Sequence, residues 1–329
     1  MIGPTRVHDN RQFRSAIMHR MADVIFLGPQ FREPNLAFAL RQLSLAGPLV
    51  SISAGWQERE GEIDELRAHV AAPVTDLAVY ARAEEVLGTD AELQSAYRAR
   101  QSRLREMQDL YRLRLAHAVA AISDLLERDG DPRLVRRARR SALHVLRALD
   151  REHLCSIERE HAAFRRKLRV QQRAPVVSHI EALRRLIQGA AAVLIAGGHV
   201  AVLANRLRLF DLQRLLAGKT IIAWSAGAMA LSERIVLFHD HPPQGAGIAE
   251  VFDAGLGLAR GVVPLPSAQT RLALHEYDSV AQFVRRFAPA RCLTLDEGSF
   301  VHWREGRLAG TYASWQLSRS GALAEIRTA

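Results

Sequence analysis

From residue 21 to 88, short apolar runs alternate with segments of helical spacing. Val24-Ile25-Phe26-Leu27 ends at Gly28-Pro29, Asn35 to Leu45 carries apolar residues every three or four positions, and Leu49 to Ala54 forms the next run, closed by Gly55. Glu62 to Val70 returns to helical spacing. Apolar runs of this length bounded by glycine or proline suit buried strands, and their alternation with helices predicts an α/β fold with a parallel sheet.

From about Asp90 the period changes. Leu93, Tyr97, Leu104, Met107, Tyr111, Ala118, Ile122 and Leu125 recur every three or four residues, which predicts one long amphipathic helix. Gly130-Asp131-Pro132 interrupts it, and Leu134, Ala138, Ala142, Val145 and Leu149 resume the period through about Leu168. Residues 89–176 therefore read as a helical hairpin inserted between two parts of the α/β core, 21–88 and 177–329, with 1–20 as a basic N-terminal extension. The hairpin's apolar stripes suit packing seams or a homodimer interface. Beyond it the alternation returns: strands at Ala191 to Ala196, Thr220 to Trp224, Gly261 to Leu265, Cys292 to Leu295 and Phe300 to Trp303, with helices at Ser178 to Gln188, Leu207 to Leu216 and Ser279 to Phe287.

Composition changes this picture little. The chain has 329 residues, 48% of them hydrophobic, and no apolar stretch long enough to span a bilayer. Residues 1–20 lack the apolar run of a secretory signal, and the two cysteines, Cys155 and Cys292, form neither a disulfide framework nor a metal motif. A cytoplasmic protein without membrane segment, metal or cofactor is the expectation. The formal charge of +10 is concentrated: between Arg133 and Arg173, 13 arginine and lysine residues face four acids, a local net charge of +9. No aromatic interleaving or nucleic-acid motif accompanies that window, so a solvated helix face is expected there rather than a nucleic-acid site.

The chemistry concentrates at Ala223-Trp224-Ser225-Ala226-Gly227-Ala228-Met229, which follows an apolar strand and opens an apolar helix. A serine in that turn either caps the helix or stands as a nucleophile on a sharp elbow, where small neighbours permit the bend and the helix N-terminus favours an oxyanion. Gly197-Gly198 end the preceding strand, where a second backbone N–H can face the same point. A Gly-Gly turn, a helix, Gly218-Lys219, a strand and Ser225-Ala226-Gly227-Ala228 together resemble the dipeptidase E and cyanophycinase family of serine peptidases. The resemblance implies a class I glutamine amidotransferase-like, flavodoxin-like three-layer sandwich. It also implies Ser225 as nucleophile, the N–H groups of Ala226 and of Gly197-Gly198 as oxyanion donors, and His199, just after the glycines, as a substrate-binding residue.

Asp240, followed by His241-Pro242, is similar to the family's acidic residue and proline, although an Asp in such a loop also suits a plain turn. Gly255-Leu256-Gly257-Leu258 and Asp296-Glu297-Gly298 match the family too. After Pro264, where the family has its catalytic histidine, this chain has Leu265, and Pro266, Ser267, Ala268 and Gln269 supply no imidazole. His241 is the candidate replacement base, with His239, His199 and His275 as alternatives. The resemblance implies a hydrolase that cleaves a peptide or amide bond in a small substrate through an acyl-enzyme at Ser225. The alternative is a catalytically inactive scaffold that binds or assembles through its basic helical insertion.

Overall fold

The computed structural model describes residues 22–70, 72–238 and 247–326. The N-terminal extension and the loop with His239, Asp240 and His241 lie outside the described residues.

The first part of the core runs β1 (Asp23–Leu27), α1 (Leu36–Gln42), β2 (Leu49–Ile52), α2 (Asp64–His69), β3 (Val74–Asp76) and α3 (Val79–Thr89). Two helices follow, α4 (Ala91–Glu127) and α5 (Pro132–Leu168). The second part begins α6 (Ala174–Gly189), β4 (Ala192–Ile195), α7 (Val200–Leu209), α8 (Leu212–Leu215), β5 (Thr220–Trp224) and α9 (Ala226–Leu231). It continues β6 (Arg234–Leu237), β7 (Glu250–Ala254), β8 (Val262–Pro266), α10 (Ala268–Arg271), α11 (Tyr277–Phe287) and β9 (Arg291–Leu295). The last strands are β10 (Phe300–Arg304), β11 (Arg307–Tyr312), β12 (Trp315–Leu317) and β13 (Leu323–Glu325).

Strands from both sides of the hairpin form one seven-stranded sheet, β11-β10-β1-β5-β4-β2-β3. The five strands from β1 to β3 are mutually parallel, whereas β10 and β11 add antiparallel pairs at one edge. Alternate residues of each strand enter opposite cores. Val24, Phe26, Val50, Ile52, Val193 and Ile195 pack with α3, α6 and α7, while Ile25, Leu27, Leu49 and Leu194 pack with α1 and α2. Both faces are covered, which explains why these strands read as continuous apolar runs and gives the three-layer arrangement. Strands β8 and β9 instead pair in a second sheet, β13-β12-β9-β8. The short strands β3, β7 and β11 to β13 carry no distinct apolar run.

The two 37-residue helices end where the turn chemistry places them. Asp90 accepts the Leu93 N–H at 2.9 Å to cap α4, and Asp131 accepts from Arg133 N at 2.7 Å to cap α5 with Pro132 in its first turn. Arg139 then reaches across to the Leu125 and Leu126 carbonyls at 2.7 and 2.8 Å, satisfying acceptors that the end of α4 leaves open. Two residues of the α5 stripe are not packed within the chain: Leu134 and Val145 face solvent, 66% and 58% exposed. The inward seam of α5 begins only at Leu146 and then includes Asp150, His153 and His161, polar residues that apolar periodicity skips.

Burial lowers the proton affinity of His153 and His161, so both imidazoles stay neutral in the folded chain at neutral pH. The unfolded chain, with ordinary imidazoles near pKa 6.5, binds more protons below that pH, so stability falls as pH drops through about 6.5. Buried Glu60 and half-buried Asp76, Asp211 and Asp296, whose carboxyls are raised by desolvation, act in the opposite sense at lower pH. Urea midpoints measured from pH 8 to 5.5 are expected to decline, and His153→Gln to flatten that decline. A pH-independent midpoint across this window would contradict the assignment.

Candidate active site

Parallel strands deliver their C-terminal ends to one edge of a sheet, and ligand sites form there. In this chain that edge collects Gly28 after β1, Ser53 after β2, Gly197 after β4 and Ser225 after β5. Leu27 lies opposite Trp224 in the ladder, which makes Gly28 and Ser225 neighbours across roughly 4.8 Å.

Ser225 sits at φ 51° and ψ −124°, a conformation that a residue with a Cβ adopts only under strain, of order 1–3 kcal/mol. The turn comes from the joining of an apolar buried strand, Thr-Ile-Ile-Ala-Trp, directly to a buried helix of small residues. Its hydroxyl makes no capping hydrogen bond to α9, so the cap reading of this serine is not realised. Gly227 in the first turn lies so close to β4 that a Cβ would come within 2.3 Å of the Ile195 carbonyl. That contact clamps the elbow onto the neighbouring strand.

Gly197 lies directly over the nucleophile position: a Cβ there would meet Ser225 Cβ at 2.7 Å and Oγ at 3.4 Å. Gly198 follows at φ +96°, its Cα against the Gly55 carbonyl, and Gly55 in turn packs on the Gly197 carbonyl. The Gly55 oxygen also accepts the His199 N–H at 2.8 Å. The Gly-Gly turn is therefore held by the 3₁₀ segment Ala54–Arg59, which follows β2. Among the described residues, the N–H groups of Ala226, Gly197 and Gly198 have no backbone acceptor. The structure thus brings Ser225, Ala226, Gly197 and Gly198 together with free donors beside the hydroxyl.

His199 is at this edge, but its Nδ1 accepts the Val202 N–H at 3.4 Å as the cap of α7, which leaves only Nε2 to face solvent. His275 is exposed on the turn before α11. His302 pairs with Asp23 at 2.5 Å at the other end of β1, five residues and roughly 16 Å along the ladder from Ser225. Among the described residues no imidazole is hydrogen-bonded to Ser225. Asp240 and His241, the candidate acid and base, lie outside the described residues.

The strand end where the resemblance places a histidine also needs correction. Leu265 is fully buried within β8, opposite Thr294, with its side chain in the core beside Val263 and Cys292. The strand continues through Pro266, and the residue that emerges at its end is Ser267, at φ 56° and ψ 43°, with its N–H donated to Leu295 O. Beside it, Asp296 accepts the Gln269 N–H at 2.9 Å, and burial raises its carboxyl above the usual range. The Asp296 carbonyl packs on the Cα of Gly28, where a Cβ would lie 1.7 Å away. Asp296 therefore stands close to the Ser225 edge.

Arg271, at the end of α10, is half-buried and has no hydrogen-bond or ion-pair partner among the described residues, and burial lowers its proton affinity. A guanidinium so placed suits a carboxylate that arrives from solution.

The model of peptidase family S51 matches residues 142–310, a span that contains Gly197, Ser225, Ser267 and Asp296. No curated protein matches the chain.

Proposed function

The chain belongs to peptidase family S51, a family of serine peptidase-type hydrolases, and from that premise we propose that it cleaves a peptide or amide bond in a small substrate through an acyl-enzyme at Ser225. The observation that carries this reading is the strained Ser225 elbow with Gly197 packed over it and N–H groups in the same turns that have no backbone acceptor among the described residues. In the proposed reaction Ser225 Oγ attacks the scissile carbonyl, and the N–H groups of Ala226 and Gly198 receive the developing oxyanion. His241, oriented by Asp240, takes the serine proton and returns it to the leaving amine. Water then releases the acyl group by the reverse proton path.

A second reading is favoured by Ser267 at the end of β8, where an imidazole would be expected. On that reading the scaffold is inactive and assembles through the outer face of its hairpin, where Leu110 and Leu113 of α4 and Leu134 and Val145 of α5 are exposed. A fluorophosphonate probe separates the two. Labelling of the wild type, lost in Ser225→Ala and reduced at least about 100-fold in His241→Ala, is expected for the hydrolase. A folded wild type that does not label would remove the hydrolase reading.

A further inference from the structure

Where the hairpin meets α7, a small void is lined by Tyr97 and Arg100 of α4, His161, Phe164 and Arg165 of α5, and Asn205 and Arg208 of α7, among others. It has room for one water-sized or slightly larger particle, about 10 Å³. Every ionisable side chain on its wall other than Tyr97 is basic, and no carboxylate lines it.

Two polar atoms on that wall are buried and have no partner among the described residues: Arg100 Nε and His161 Nδ1. Both residues are more than nine-tenths buried. Arg100 lies between the rings of Tyr97 and Phe164, 4.8 and 4.2 Å from their centroids, and donates one hydrogen bond, from Nη2 to Asn205 Oδ1 at 3.0 Å. The nearest buried carboxylate, Asp253, is already shared: Arg208 donates to one oxygen at 2.8 Å and His161 Nε2 meets the other at 2.8 Å. Burial would raise Asp253, but Arg208 and His161 outweigh it and hold the carboxyl below its usual range. Among the described residues Arg100 is thus a buried cation with no carboxylate in direct contact, reached only at longer range by Asp253 and Glu160, and its proton affinity is pushed down by burial to about 10.

From the two unpartnered atoms, the basic wall and the size of the void, we infer a binding site for a single small monovalent anion, of halide size, between Arg100 and His161. A water molecule there would satisfy hydrogen bonds but bring no negative charge into contact with the buried guanidinium. A halide supplies the missing charge. It accepts the Arg100 Nε–H, and when His161 takes up a proton its Nδ1–H becomes a second donor.

The charged groups around His161 are Arg100 from α4, Glu160 and Arg165 from its own helix, Arg208 from α7 and Asp253 from β7. The cations among them disfavour protonation in the absence of an anion. Anion binding is consequently tighter at lower pH, and occupancy ties the hairpin to α7.

Thermal unfolding of the full chain at constant ionic strength tests this, with sodium gluconate exchanged for sodium chloride or bromide. Halide is expected to raise Tm by about 3 °C or more, saturably and more at pH 6 than at pH 8. Arg100→Met should abolish the dependence. His161→Gln, which can keep a hydrogen bond to Asp253, should remove its pH component. If either variant fails to fold, a bromide-soaked crystal of the wild type decides: an anomalous peak within hydrogen-bond reach of Arg100 Nε and His161 Nδ1 is expected. A Tm indifferent to halide in the folded wild type, or a water at that position in bromide, would overturn the assignment.

Discussion

Asp150→Ala is expected to destabilise the protein by about 3–5 kcal/mol, read as a large fall in the urea or guanidinium midpoint. Asp150 on α5 accepts two hydrogen bonds from Arg286 on α11, at 2.7 and 2.8 Å, and a third from Tyr111 on α4 at 2.8 Å. Both charged side chains are about 95% buried. Arg286 also donates to the Ala249 carbonyl at 2.6 Å, and Tyr111 Oη accepts the Val251 N–H at 3.1 Å. One cluster therefore joins the hairpin, the β7 region and α11.

Removing the carboxylate leaves the guanidinium buried without a counter-charge, and that residual charge, rather than the lost bonds, dominates the cost. The paired replacement Asp150→Leu with Arg286→Met removes both charges and is expected to recover most of the loss. A double variant no more stable than Asp150→Ala would mean that the hydrogen-bond geometry, not the charge, carries the contribution.

This cluster also marks where reading the sequence reached its limit. The strands of the central parallel sheet were legible because burial on both faces leaves unbroken apolar runs such as Ala192–Ile195 and Thr220–Trp224. The hairpin was legible through Asp90, Gly130, Asp131 and Pro132, whose effects on chain direction are local. The seam of α5 was not. Asp150, His153 and His161 become interior residues only through Arg286, Gln108 and Asp253, partners between 45 and 136 positions away. Polarity hides such positions from any search for apolar period.

The elbow was visible for the opposite reason, since Ser225 and its small neighbours are contiguous. The supports of the site were dispersed: Gly55 locks Gly197 and Gly198 from another strand end, and Gly28 admits the Asp296 carbonyl. The end of β8 lies one residue beyond the expected Leu265 because Leu-Pro-Ser offers no local stop signal. Pairing with β9 carries the strand through Pro266, opposite Leu295.

Gly197→Ala is expected to suppress fluorophosphonate labelling of Ser225 by a factor of about 100 or more while the chain stays folded. The glycine is not needed for a left-handed backbone, because Gly197 is not among the residues at positive φ. Its role is space. The added methyl would lie 2.7 Å from Ser225 Cβ and 3.5 Å from Ala226 N, so it crowds the nucleophile and the N–H proposed to hold the oxyanion. Ser225 Cβ is fixed by the strained elbow and cannot yield as a flexible side chain would. Local overpacking of this kind costs about 1–3 kcal/mol, which a protein of ordinary stability survives. Gly61→Ala provides the control, with no atom within 4 Å of its added methyl, and should label as the wild type does. Gly227→Ala differs again: its methyl would collide with the Ile195 and Ala196 carbonyls at 2.3 and 2.8 Å, so folding itself should suffer. Circular dichroism and labelling rates measured on all three variants separate a blocked nucleophile from a broken fold. A Gly197→Ala protein that labels at the wild-type rate would show that this turn does not face the reacting carbonyl.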